Sequence, residues 1–266
     1  MPPGGRPVVF IHGLWLHANS WSPWLELFQD AGYAPVAPGW PGAPDSVDEA
    51  REHPELVAGK GITDIVDHYA AIIRDLPTQP ILVGHSFGGL IAQRLLGDGV
   101  GAAAVALDAA PIKGVIFLPP SALRVASIAL RNPANRRHAL SLSPGQFHYG
   151  FANTLPHQEV AALYQQWTVP SPGKPLFEAA AANLSPHSPA KVKTDNATRG
   201  PLLLIAGGRD HTVPAAITKQ TRKLYRKSAA VTDYHEFSDR GHSLGIDHGW
   251  REIADTSLTW LAGQSL

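Results

Sequence analysis

The sequence predicts an α/β fold: a mostly parallel sheet with helices on both faces. Two observations predict it. Short apolar runs alternate with helix-period segments along most of the chain. Runs such as PVVFI, PILV and PLLLIA are also continuous rather than alternating, as strands covered on both faces are.

In order, Pro7–Ile11 is a strand ending in His12-Gly13. Ser22-Pro23 opens a helix, with serine suited to the N-cap, proline to the first turn and Gly32 to the end. Tyr33–Ala37 is a poorer strand, because Pro35 belongs at an edge. Residues 38–60 read as loop. The apolar residues Ile62, Ile65, Val66, Tyr69, Ile72, Ile73 and Leu76 make one stripe and hence a helix. Pro80–Val83 is a buried strand running into Gly84, followed by a helix over Leu90–Leu96. Ala103–Leu107 and Pro201–Ala206 are strands. Pro214 opens a helix to about Lys227, Val231–Phe237 is the last strand and Trp250–Leu261 the last helix.

From Pro111 to Thr198 the rhythm breaks. Prolines and aromatics mix with helical pieces at Ala122–Arg131, His157–Trp167 and Pro175–Asn183, and no strand is visible. The predicted organisation is a core of residues 1–110 and 199–266, with a cap inserted at 111–198.

Composition limits the function classes. Lys plus Arg and Asp plus Glu are 22 each among 266 residues, so no global field favours nucleic acid or anionic membranes. With no cysteine there is no disulfide, thiolate nucleophile or cysteine-ligated metal. No signal peptide and no apolar run of membrane-spanning length is visible, and a cytoplasmic location is expected.

Two pentapeptides match a serine-nucleophile pattern: GHSFG at 84–88 and GHSLG at 241–245. A serine hydroxyl needs a base in reach and an exposed position, which a sharp strand-to-helix turn provides. PILV, GHSFG and GLIAQRLL supply that context, whereas GHSLG follows the polar SDR. Ser86 is therefore the expected nucleophile. In the second copy the useful residue is His242, as base, and Asp210 follows a buried strand as the acid. The chain order is serine, acid, histidine.

These residues resemble the α/β-hydrolase family. The resemblance rests on FIHG at 10–13, GHSFGG at 84–89, GGRDHTVP at 207–214 and GHS at 241–243. It implies an α/β-hydrolase sheet of about six strands, since the two leading strands of many members have no counterpart here. A helical cap follows at 111–198. The loop PGWPGAPDS lacks the family's usual D-x-x-G-x-G pattern.

By resemblance the His12-Gly13 turn builds an oxyanion hole, from Leu14 N–H and Phe87 N–H, with Trp15 N–H the alternative first donor. Asp108, after AAAVALD, is the alternative acid, since some members take theirs there. His85 is expected to point away from the base. Trp15, Phe117, Phe147, Tyr149, Trp167, Val213 and Leu244, with Phe151, are candidates for an apolar substrate pocket. The expected activity is hydrolysis of a carboxylic ester through an acyl-enzyme on Ser86, without cofactor or metal. The partner is a small ester-like molecule; the oligomeric state is left open. Perhydrolases, carbon–carbon bond hydrolases and hydroxynitrile lyases share the arrangement. The last are helped by a cap lysine, for which Lys113, Lys174, Lys191 and Lys193 qualify by position. A receptor-like binding protein is the reading from another class.

Overall fold

The computed structural model describes residues 5–266. Six parallel strands form one sheet: β1 (Pro7–Ile11), β2 (Ala34–Val36), β3 (Ile81–His85), β4 (Ala103–Leu107), β7 (Leu202–Gly207) and β8 (Thr232–Phe237), in the order β2-β1-β3-β4-β7-β8. The four inner strands are buried along their whole length. Pro35 sits on the edge strand β2, where its missing N–H costs no ladder bond.

Because successive side chains alternate faces, each strand feeds two cores. Val8, Phe10, Ile81, Val83, Val105 and Ile205 pack with Trp24 and Phe28 of α1 (Ser22–Asp30) and Ile253 and Leu261 of α10 (Trp250–Gly263). Val9, Ile11, Leu82, Ala104 and Leu204 face the other way. They meet Ile65 and Tyr69 of α3 (Ile62–Arg74), Leu90 and Ile91 of α4 (Phe87–Gly97) and Ile217 of α9 (Ala215–Leu224).

Two local readings are corrected. Ser22 does not cap α1. A 3-10 turn over Ala18–Trp21, capped by the His17 ring, leads into the helix, and the Ser22 hydroxyl donates to Asn19 O at 2.8 Å. Residues 38–60 are not all loop. They hold α2 (Val47–Glu52), where Ser46 Oγ accepts Glu49 N–H at 3.2 Å, a serine–glutamate spacing that signals a helix start.

The segment between β4 and β7 holds α5 (Pro120–Leu130), α6 (Pro144–Gly150), α7 (His157–Trp167) and α8 (Lys174–Ala180). It also holds β5 (Ala139–Leu140) and β6 (Ser171–Pro172), a two-residue antiparallel pair. Neither α6 nor this pair was legible in the sequence pattern. Polar stitches tie the segment to the rest: Glu178 Oε2 accepts Ile62 N–H at 2.7 Å at the start of α3, and His17 N–H donates to Trp167 O at 2.9 Å.

Candidate active site

The site lies at the C-terminal ends of β1, β3, β4 and β7. Four non-glycine residues among those described have positive φ: Trp15 (65°), Ser86 (54°), Asp108 (42°) and Ser265. The first three gather here. Such strain persists only where surrounding structure enforces it, and it concentrates at functional sites.

Ser86 stands between β3 and α4, with ψ −120°. Its N–H donates to Leu107 O and its carbonyl accepts from Ala110 N–H, each at 2.9 Å, which straps the turn to β4. Glycines make the turn possible. A Cβ on Gly84 would lie 2.2 Å from Gly88 O, and one on Gly13 would lie 2.7 Å from Ser86 Cβ.

His242 follows β8. Its Nδ1–H donates to Asp210 Oδ2 at 2.6 Å, with both side chains fully buried. That bond defines the tautomer and leaves Nε2 as a bare acceptor. Among the described residues Nε2 has no protein partner. The ring packs against Phe151 in a T-shaped pair, 4.7 Å between centroids. Asp210 is held in turn: Oδ1 accepts Thr212 N–H at 2.6 Å and Val213 N–H at 2.9 Å.

His85 does not point away from the base, as expected, but lies alongside it. The two ring centroids are 4.6 Å apart, and His85 Nε2–H donates to the His242 carbonyl at 2.8 Å. The strained turn brings the ring of the preceding residue under the β8 loop. Burial, then the neighbouring His242, holds the His85 ring well below the usual histidine range, so it is neutral. Burial likewise lowers His12 to about 4. His12 stacks on Trp40, whose indole N–H donates to His12 O at 3.1 Å, so the PGWPG loop buttresses the His-Gly turn.

The candidate oxyanion donors differ in availability. Trp15 N–H is taken by Ser171 Oγ at 2.6 Å. Leu14 N–H and Phe87 N–H have no protein acceptor among the described residues. Phe87 N–H belongs to the first turn of α4, where the helix dipole favours negative charge.

Ser86, Leu14, Trp15 and Phe87 line a cavity of about 260 Å³ with Val213. Its remaining wall is supplied largely by Ala122, Val125, Ala126, Leu130, Leu176 and Ile217. Phe117, Phe147, Tyr149, Trp167 and Leu244 are not brought to it. Phe117 is 58% exposed. Phe147 is buried against Phe151, itself off the wall, and Tyr149 packs against Arg124 and His211. Trp167 offers its carbonyl to His17, and Leu244 belongs to the core on the opposite face of the sheet. Large rings fill space, whereas the hollow is bounded by aliphatic side chains, among them Ala122, Leu123, Val125, Ala126 and Leu130 of α5. The sequence signal was the spacing of Ala122 and Ala126, one helical turn apart.

His85, Asp108 and His242 each offer one ligand-capable atom within 4.8 Å of the others. His242 Nδ1 and His85 Nε2 are already engaged in hydrogen bonds, to Asp210 and to the His242 carbonyl.

A family model described as the alpha/beta hydrolase family matches residues 8–256. No curated protein matches the chain by sequence. Solved structures do match in fold. A monoacylglycerol lipase from Paleococcus ferrophilus is 20% identical with a TM-score of 0.66, covering 98% of this chain and 96% of that one. A methylesterase from Arabidopsis is 17% identical with a TM-score of 0.66, covering 97% and 99%. An extracellular alpha/beta-hydrolase from a Paenibacillus species is 18% identical with a TM-score of 0.68, covering 96% and 98%. No helix among the described residues is long and apolar enough to cross a membrane. With esterases and lipases as its structural neighbours and a family match over nearly its whole length, the chain belongs to the α/β hydrolase family.

Proposed function

We propose that the protein is a serine hydrolase that cleaves a carboxylic ester or related acyl compound through an acyl-enzyme on Ser86. The observation that carries this reading is the buried Asp210–His242 hydrogen bond, which leaves His242 Nε2 bare. His242 packs on the ring of His85, the residue before the strained serine.

In this mechanism the Ser86 hydroxyl attacks the substrate carbonyl and His242 Nε2 takes its proton. Asp210 holds the imidazole and stabilises the imidazolium that forms. The oxyanion is received by Leu14 N–H and Phe87 N–H, donors of which each is worth about 10²–10³ in rate. His242 then protonates the leaving alcohol and activates the water that releases the acid. Residues 1–110 and 199–266 act as the hydrolase core and 111–198 as its cap. Because the cavity is lined almost wholly by apolar side chains, it suits an uncharged acyl group.

Hydrolysis is favoured over a lyase that needs a cap lysine. Lys113 Nζ donates to Ala182 O and Ser185 O, Lys174 pairs with Asp64 and Lys193 with Asp98. None of these, nor Lys191, lines the cavity. The test is labelling by a fluorophosphonate probe, read by intact mass, with p-nitrophenyl ester turnover measured alongside. Wild type and Ser243→Ala should label and turn over, and Ser86→Ala should do neither. Labelling without turnover would move the reading to a lyase or receptor. Absence of labelling in wild type would end it.

A further inference from the structure

Asp108 directly follows β4, has a positive φ of 42° and is completely buried. Its two oxygens have different surroundings. Oδ1 accepts Gly207 N–H at 2.7 Å. Oδ2 is buried and receives no hydrogen bond among the described residues. The nearby imidazole nitrogen, His242 Nδ1, lies 3.9 Å away, and its proton already goes to Asp210 at 2.6 Å.

The other titratable groups facing Asp108 do not help. Asp210, on the loop after β7, and Asp247, after β8, are acids. Tyr234 of β8 gives its hydroxyl proton to Glu236. His85 of β3 gives its Nε2–H to the His242 carbonyl. A buried carboxylate oxygen with no donor carries a full desolvation penalty. An O–H at the same place has the neighbouring Asp210 carboxylate, in side-chain hydrogen-bonding reach, to donate to. In agreement, burial and then the charge of Asp210 hold the Asp108 carboxyl well above the usual carboxylate range.

We propose that Asp108 is a positioning residue that keeps its proton and donates Oδ2–H to the Asp210 carboxylate, so that one ionised acid and not two faces His242. This rests on the triad reading above. Asp210 then accepts from Thr212, Val213, His242 and Asp108, which fixes its orientation. A second ionised acid 3.9 Å from the imidazole would favour the imidazolium already in the resting enzyme, where the ring has no free nitrogen to take the Ser86 proton. Asp108 itself keeps its O–H bond throughout turnover.

The test compares Asp108→Asn and Asp108→Ala by the pH profile of kcat/KM on a p-nitrophenyl ester, with thermal midpoints to confirm folding. Difference infrared spectra of wild type against Asp108→Asn at pH 7 read the proton itself. Asparagine keeps an N–H donor in the same shape, so kcat/KM should stay within about threefold and the acid limb in place. Alanine removes the donor, leaves Asp210 more negative and should move the acid limb to higher pH by about half a unit to one unit. The proposal is overturned if Asp108→Asn is as damaging as Asp210→Asn, or if folded Asp108→Ala leaves the acid limb unmoved. A protonated-carboxyl band in wild type that disappears in Asp108→Asn supports it, and no such band overturns it. The infrared result does not depend on turnover. Failure of the triad reading, seen as no labelling of Ser86, is therefore a separate result.

Discussion

GHSFG at 84–88 leaves a buried strand and turns into α4, whereas GHSLG at 241–245 lies in the loop between β8 and α10. Four of their five letters agree, and their backbones do different things. Ser86 has φ 54° and lines the cavity; Ser243 is fully buried, with its hydroxyl on Asp247 Oδ2 at 3.3 Å and its N–H on Phe151 O. The glycines differ as much. A Cβ on Gly88 would sit 2.0 Å from Ile11 O, while one on Gly245 would meet nothing nearer than 3.7 Å. In the first copy the serine is presented; in the second the histidine is. The comparison teaches that the pentapeptide carries meaning through the turn it makes, not through its letters.

The comparison is broken most severely at the two presented side chains. Ser86→Ala and His242→Ala should each lower kcat by about three orders of magnitude or more, and the double variant should be little worse than either. An additive double variant would mean that the two do not act as a unit. Next come the glycines. Gly88→Ala should cost about 3 kcal/mol or more in urea unfolding, because the added methyl meets backbone of β1 that cannot yield, whereas Gly245→Ala should cost under about 1 kcal/mol. Equal costs would erase the distinction drawn between the two turns.

The neutral histidines behind the first copy give a pH signature. The His12 pKa is depressed in the folded state, from 6.5 to about 4, by burial first. Its contribution to stability is therefore complete above pH 6.5 and is lost as pH falls towards 4. Asp108, raised by burial and by Asp210, works in the opposite sense: its contribution is present at low pH and lost as pH rises. The stability difference between wild type and His12→Asn isolates the histidine and should shrink by about 2 kcal/mol between pH 6.5 and pH 5. A pH-independent difference would place a charged His12 in the fold. The smallest effect concerns α5. Ala126 lines the cavity. Ala126→Phe should shift preference towards shorter acyl esters by about tenfold in relative kcat/KM, with acetate turnover little changed. An unshifted chain-length profile would mean that the acyl group does not enter this hollow.

Much of the core was legible because its strands are continuous apolar runs closed by turn residues. Ala103–Leu107 and Pro7–Ile11 have the expected bounds, and the α3 stripe gave its helix within two residues. The segment between β4 and β7 was less legible. His157–Trp167 is a helix as read, but α6 and β5–β6 are too short to show a period, and their partners are remote in sequence. Ser171 shows the same limit. It stands far from the His-Gly turn in the chain, yet its hydroxyl takes Trp15 N–H and so leaves Leu14 as the free donor of that turn.

The sequence by itself determined the α/β class, the edge position of β2 and the order of Ser86, Asp210 and His242, because apolar period, proline placement and turn chemistry act over a few neighbouring residues. Only the tertiary structure decided that Asp210 and not Asp108 holds His242 Nδ1, and that His85 lies beside the base. It alone showed that aliphatic α5 residues, rather than Phe117, Phe147, Tyr149 and Trp167, bound the cavity. Those outcomes depend on distances between segments remote in the chain, such as the 2.7 Å bond that turns Asp108 towards Gly207, 99 residues away. Chain-local pattern carries no information about such distances; packing of the whole sheet sets them.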